Sequence, residues 1–87
     1  MRLAKYVRFR EEKFGGVLFE TRSEKVFTLN ATGAAVVREI AAGAGEGDIA
    51  GRLRGRYDDP QGSLDREVAA LVADLRSRGL LEDPPRG

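Results

Sequence analysis

Cysteine, histidine and tryptophan are absent from this chain of 87 residues. No disulfide framework forms, no Cys/His set holds zinc or iron, and no thiol or imidazole is at hand for catalysis. The missing imidazole also removes the usual general base of nucleophilic chemistry. No apolar run is long enough to cross a bilayer. Arg2, Lys5, Arg8 and Arg10 interrupt the first ten residues, so no signal-peptide core is expected there. Neither sign of charge dominates: 15 Lys+Arg stand against 14 Asp+Glu, a net charge of +1. Residues 1–44 hold 8 basic and 5 acidic side chains, and residues 45–87 hold 7 and 9. Neither half is the strongly basic footprint of a nucleic-acid binder. Apolar residues, at 41%, supply one modest core in one small domain, with little left to wall a substrate cavity. The composition points to a binding module, not an enzyme, with neither cofactor nor metal; a reducing cytoplasm fits, and the absence of Cys permits either compartment.

What is present falls into two halves. The first reads as strands. Tyr6-Val7-Arg8-Phe9-Arg10 alternates apolar and basic, the period of a half-buried strand. Phe14-Gly15-Gly16 supplies a turn, because glycine accepts positive φ without strain. Gly16–Glu20 and Lys25–Leu29 are β-prone runs joined by the polar Thr21-Arg22-Ser23-Glu24. The expectation is a three-stranded antiparallel meander over residues 6–10, 16–20 and 25–29. Its covered face is expected to carry Val7, Phe9, Val17, Phe19, Phe27 and Leu29. Such a sheet has two edges, and one of them is available for an added strand.

From residue 30 the period is helical. Asn30 is a good N-cap for a helix over 31–42, with Val36, Val37, Ile40 and Ala41 on one face and Gly43 ending it. A second helix over 48–57 is capped by Asp48 and carries Ile49, Leu53 and Tyr57; Gly51 and Gly55 weaken it by about 1 kcal/mol each relative to alanine. Asp58-Asp59-Pro60-Gln61-Gly62 is a break. The third helix, 64–78, is capped by Ser63. Its apolar stripe is Leu64, Val68, Leu71, Val72 and Leu75, and Gly79 stops it with Leu80 placed to touch Leu75. The fold class is α+β: a three-stranded antiparallel sheet followed by three helices, winged-helix-turn-helix-like, in one domain over residues 1–82. Residues 83–87 form a frayed tail.

Three stretches in order resemble one family. They are Leu29-Asn30-Ala31-Thr32-Gly33, then Asp48-Ile49-Ala50-x-x-Leu53-x-x-x-Tyr57-Asp58, then Glu67-Val68-x-x-Leu71-Val72-x-x-Leu75-x-x-x-Gly79-Leu80-Leu81. Over about residues 25–81 the chain resembles the pyrroloquinoline quinone biosynthesis protein D (PqqD) family, also described as RiPP recognition elements. The family usually has Asp at the place of Glu67, and often a larger apolar residue at Ala35 or Val36. The stretch Arg10–Phe19 resembles standalone members found with radical SAM peptide-modifying enzymes. Lasso-peptide leader-binding proteins share the Leu-Asn-x-Thr-Gly motif.

The resemblance implies a noncatalytic peptide chaperone. Its partners would be the leader segment of a ribosomally made precursor and a modifying enzyme, either a radical SAM protein or a lasso leader peptidase. The leader would add as a strand beside Lys25, Val26, Phe27, Thr28 and Leu29, in a groove walled by the last helix. Apolar pockets near Val68 and Leu71 would select leader side chains, with Glu67, Ala70, Asp74 and Arg78 on the same flank. Each of these has a plainer reading beside it. Lys25–Leu29 is also an ordinary sheet strand, Glu67 a first-turn acid serving the helix dipole, and Ala70 a helix-forming surface residue. Arg52, Arg54 and Arg56 read as a solvated helix face. The alternative to a peptide binder is a winged-helix DNA-binding regulator. Against it stand strands that precede the helices and a last helix with three acids and three arginines. No wing hairpin is expected in the six residues after Leu81. A generic interaction domain stays open on composition alone.

Overall fold

All three expected strands form, and they pair in sequence order. The computed structural model describes residues 1–56 and 62–83. The expected positions of Tyr57, of the 58–61 part of the break and of the tail from residue 84 lie outside the described residues. Strands β2 (Val7–Glu12), β3 (Gly15–Glu20) and β4 (Lys25–Asn30) make an antiparallel sheet in the order β2-β3-β4. Two-residue strands β1 (Arg2–Leu3) and β5 (Leu81–Glu82) pair separately and bring the two ends of the domain together. The helices are α1 (Ala31–Ala41), α2 (Glu46–Arg54) and α3 (Leu64–Ser77).

The β2–β3 hairpin turns on Lys13 and Phe14, between paired Glu12 and Gly15. The two glycines expected in that turn therefore belong to β3, where their missing side chains are used for close approach. Gly15 has φ +149°, and a Cβ there would stand 2.2 Å from the carbonyl oxygen of Leu29. A Cβ on Gly16 would meet the Phe9 ring at 2.8 Å and the Ala34 Cβ at 3.2 Å. The bare backbone at Gly16 is what lets α1 settle on the sheet.

The register corrects the expected phase of the middle strand. Phe9 pairs with Leu18, and Leu18 with Phe27, so the covered face of β3 carries Gly16 and Leu18. Val17 and Phe19 point the other way, with Val26 opposite Phe19. Phe19 keeps 37% of its surface exposed and Val26 57%, while Leu18 keeps none. Three consecutive apolar residues do not announce their own phase. Pairing with Phe9 and Phe27 decides it, because a one-residue slip would move every side chain to the wrong face.

Asn30 begins α1 as expected, its Oδ1 accepting from the Gly33 amide at 2.7 Å. The second helix starts earlier than expected. Gly45 is its N-cap, with no side-chain capping bond, and Asp48 lies in its first turn, where it faces the positive helix end. Ser63 precedes α3 in helical conformation and makes no side-chain cap bond; Leu64, the first residue of the helix, is buried. At the far end, the Leu80 amide bonds the Leu75 carbonyl and the Gly79 amide the Arg76 carbonyl, with Gly79 at φ +75°. That paired pattern is the Schellman end the sequence foresaw. Between sheet and helices lies one core: Leu18 and Leu29, then Val36, Val37 and Ile40, then Ile49 and Leu53, then Val68, Val72 and Leu75. No helix among the described residues is long and apolar enough to cross a membrane.

Candidate functional site

α1 packs on β3 and β4, while α3 packs on α1, α2 and β5. This arrangement leaves α3 beside the outer edge of β4 without closing onto it. Two cavities mark the gap. One, of about 440 Å³, is lined by Thr28, Leu29, Asn30, Thr32, Gly33, Val36, Glu67, Ala70 and Leu71. The other, of about 550 Å³, lies between the β3–β4 turn and the end of α3, and includes Lys25, Phe27, Ser77 and Arg78. Strand and helix run in opposite senses past each other: Leu29 stands near Leu71, and Lys25 near Arg78. The two cavities thus outline an interrupted trough between β4 and α3, one at each end of the strand.

The edge of β4 beside that trough has no strand partner among the described residues. An edge strand presents a row of backbone donors and acceptors, which is the chemistry of strand addition. The floor beneath the first cavity is apolar, made of Leu29 and Val36 from below and the half-buried Leu71 from α3. Ala70 is exposed there and holds the α3 wall low.

The expected site residues fall into three groups. Thr28, Leu29, Glu67, Ala70 and Leu71 line the first cavity, and Lys25, Phe27 and Arg78 line the second. Asp74 lines neither cavity; it touches the second only through Arg78, whose Nε its Oδ1 accepts from at 3.0 Å. Val26 and Val68 line neither cavity. Val26 projects from the uncovered face of the sheet, and Val68 is 3% exposed in the core. Sequence reasoning missed Asn30, the last residue of β4 and the cap of α1, together with Thr32, Gly33 and Val36 from the first two turns of α1. It also missed Glu20, Arg22 and Ser23, which reach the second cavity from the β3–β4 turn.

The turn is held by one carboxylate. Glu20 accepts from the Ser23 hydroxyl, from the Ser23 and Arg22 amides and from Arg22 Nε. The Ser23 hydroxyl bond, aided by these others, lowers its pKa to about 2. Arg78 carries its guanidinium over the Phe27 ring, 5.2 Å from the centroid. Among the described residues no group of His, Cys, Asp and Glu is placed to hold a metal.

A family described as Coenzyme PQQ synthesis protein D (PqqD) matches residues 15–81. The chain belongs to the PqqD family. No curated protein sequence matches it. Among solved structures, this PqqD-family chain is similar to a lasso peptide synthetase B1 complexed with the leader peptide. The identity is 29%, the match covers 94% of this chain and 96% of that one, and the TM-score is 0.80. The fold is also that of TbiB1, solved in complex with the TbiA(beta) leader peptide. There the identity is 19%, with 99% and 100% of the two chains covered and a TM-score of 0.84. The winged-helix regulator reading finds no basic recognition helix here. On α3, Asp65, Glu67 and Asp74 offset Arg66 and Arg76, and Arg78 at its cap. Arg52 and Arg54 are tied to Glu39 and Asp65.

Proposed function

We propose that this PqqD-family protein is a noncatalytic chaperone for the leader segment of a ribosomally made precursor peptide, which it presents to a modifying enzyme. The leader adds as a fourth strand along β4, in the trough that α3 walls. One observation carries this reading: the edge of β4, unpaired among the described residues, has a cavity walled by α3 at each of its ends. The likeness to a leader-bound lasso peptide synthetase B1 supports it. Backbone bonds along β4 give affinity that tolerates sequence, and the apolar floor of Leu29, Val36 and Leu71 selects a side chain. The sequence holds no Cys and no His, so thiol and imidazole chemistry have no side chain to work with. The place of work is the cytoplasm, where a ribosomal product is met before export. Of the two enzyme classes, a lasso leader peptidase is favoured over a radical SAM enzyme, because the structural neighbour with the higher identity comes from a lasso system.

Calorimetry with the leader of the precursor encoded beside this chain is the test. A dissociation constant of about 1 μM or tighter is expected, about 8 kcal/mol. Thr28→Pro and Phe27→Pro, each checked for fold by circular dichroism, should remove that binding. Undiminished binding by folded forms of both variants contradicts strand addition.

A further inference from the structure

The trough is electrically lopsided. At its Leu29 end the one charged side chain among the described residues is Glu67. At its other end Lys25, Arg22 and Arg78 surround the opening. Two of these cations are engaged. Arg22 pairs with Glu20 at 3.3 Å and stacks on Tyr6, 4.3 Å from the ring centroid. Arg78 pairs with Asp74 at 3.0 Å. Lys25 makes no ion pair among the described residues. Glu20 lies across the ladder from Lys25, but its carboxylate is turned into the Ser23 and Arg22 amides and the Ser23 hydroxyl.

Two opposing features have to be weighed. The negative end of the α3 dipole is at this opening too. Its last carbonyls, however, already accept from Arg78, Gly79, Leu80 and the Ser77 hydroxyl. Asp74 neutralises Arg78 only through Nε, and a guanidinium has five N–H donors. The balance over Lys25, Arg22, Arg78, Glu20 and Asp74 is one positive charge, with guanidinium donors left over. A carboxylate entering here meets Lys25 and the outer nitrogens of Arg78.

Resting on the strand-addition reading above, we infer that the Lys25–Arg78 end of the trough is a subsite for an acidic side chain of the bound peptide, and that this subsite fixes its register. From Glu67 to Arg78 the helix rises about 16 Å, at about 1.5 Å per residue. From Lys25 to Asn30 the strand advances about 17 Å, at about 3.3 Å per residue. The two walls therefore match in length, and an added strand spans both cavities in about five residues. Side chains of a strand return to one face every second residue. The acid thus stands about four positions from the apolar side chain seated on Leu71, the offset between Lys25 and Leu29. Backbone pairing alone leaves register open, because a slip by two residues restores every hydrogen bond. An acid at one end and a repelling Glu67 at the other exclude such slips.

A phage-displayed library of random twelve-residue peptides, selected on the whole 87-residue chain, tests this. The expected result is enrichment of Asp or Glu about four positions from a bulky apolar residue. Selection on the Lys25→Glu variant should replace that acid by Lys or Arg. A synthetic peptide of the first consensus should bind Lys25→Glu about tenfold more weakly than the parent, and Arg8→Glu with unchanged affinity. Binders recovered with an apolar anchor but no charge preference overturn the acidic subsite and leave strand addition standing. Failure to recover any binder that competes with the leader overturns both.

Discussion

The two edges of the sheet are built from the same kind of backbone and finished differently. β2, at one edge, carries Arg8, Arg10, Glu11 and Glu12 in six residues. Arg10 is paired with Glu12 at 2.8 Å, and Glu11 with Arg38 of α1. Charges spaced along an edge oppose the docking of a foreign strand, the usual guard against aggregation. β4, at the other edge, has one charge, Lys25, at its start, followed by Val26, Phe27, Thr28 and Leu29. Beside it α3 leaves a trough floored by apolar side chains. One edge is closed by its sequence, and the other is left open and given walls. The difference teaches where a small protein of this composition can accept a peptide without inviting its own copies to pair on both sides.

That contrast can be broken by filling the open side. Ala70 is exposed on the trough wall, so Ala70→Trp should block it and weaken leader binding by about 100-fold or more, with thermal stability kept. Arg8→Trp on the guarded edge should change affinity by less than about twofold. Equal losses from both, read by fluorescence anisotropy, would mean the edges are equivalent. The next effect is on stability. Gly15→Ala forces a Cβ to within 2.2 Å of the Leu29 carbonyl at φ +149°. It should cost about 2 kcal/mol or more and displace the end of β4. Lys13→Ala, in the loop on the β2 side, should cost less than about 0.5 kcal/mol in a denaturant titration.

The smallest effect concerns the turn. Glu20 fixes the β3–β4 turn through a carboxylate whose pKa falls from 4.5 to about 2. A group depressed on folding contributes support that is complete above its unfolded value and fades as pH drops through its folded one. The turn beside β4 should therefore hold above pH 4.5 and loosen towards about pH 2. The Ser23 amide resonance should titrate with that low midpoint and become insensitive in Glu20→Gln. The β2–β3 turn has no such clamp in the contacts of Lys13 and Phe14, and its amides should not follow.

Much of this was legible in the sequence, for identifiable reasons. Alternation in Tyr6–Arg10 and the apolar stripe of Leu64–Leu75 are strong periodic signals, and they gave a sheet followed by helices. Asn30 signalled its own cap, and Gly79 with Leu80 signalled the helix end. The phase of Val17-Leu18-Phe19 was not legible, because neighbours on other strands set it. β1 and β5 escaped because two-residue strands have no period, and they pair across nearly the whole chain. At the site, Glu67, Ala70 and Leu71 came from the helix pattern together with the family motif. Arg22 and Ser23 were hidden because a turn's side chains reach a groove only through tertiary folding. The family resemblance puts Val68 at the groove, whereas the apolar stripe puts it in the core, where it lies.

Amide hydrogen exchange of the labelled protein, with and without saturating leader peptide, bears most directly on the central claim. Slowed exchange confined to β4 and the facing turns of α3, with β2 unchanged, is the predicted result. Protection along β2, or none along β4 while the peptide is bound, would contradict it.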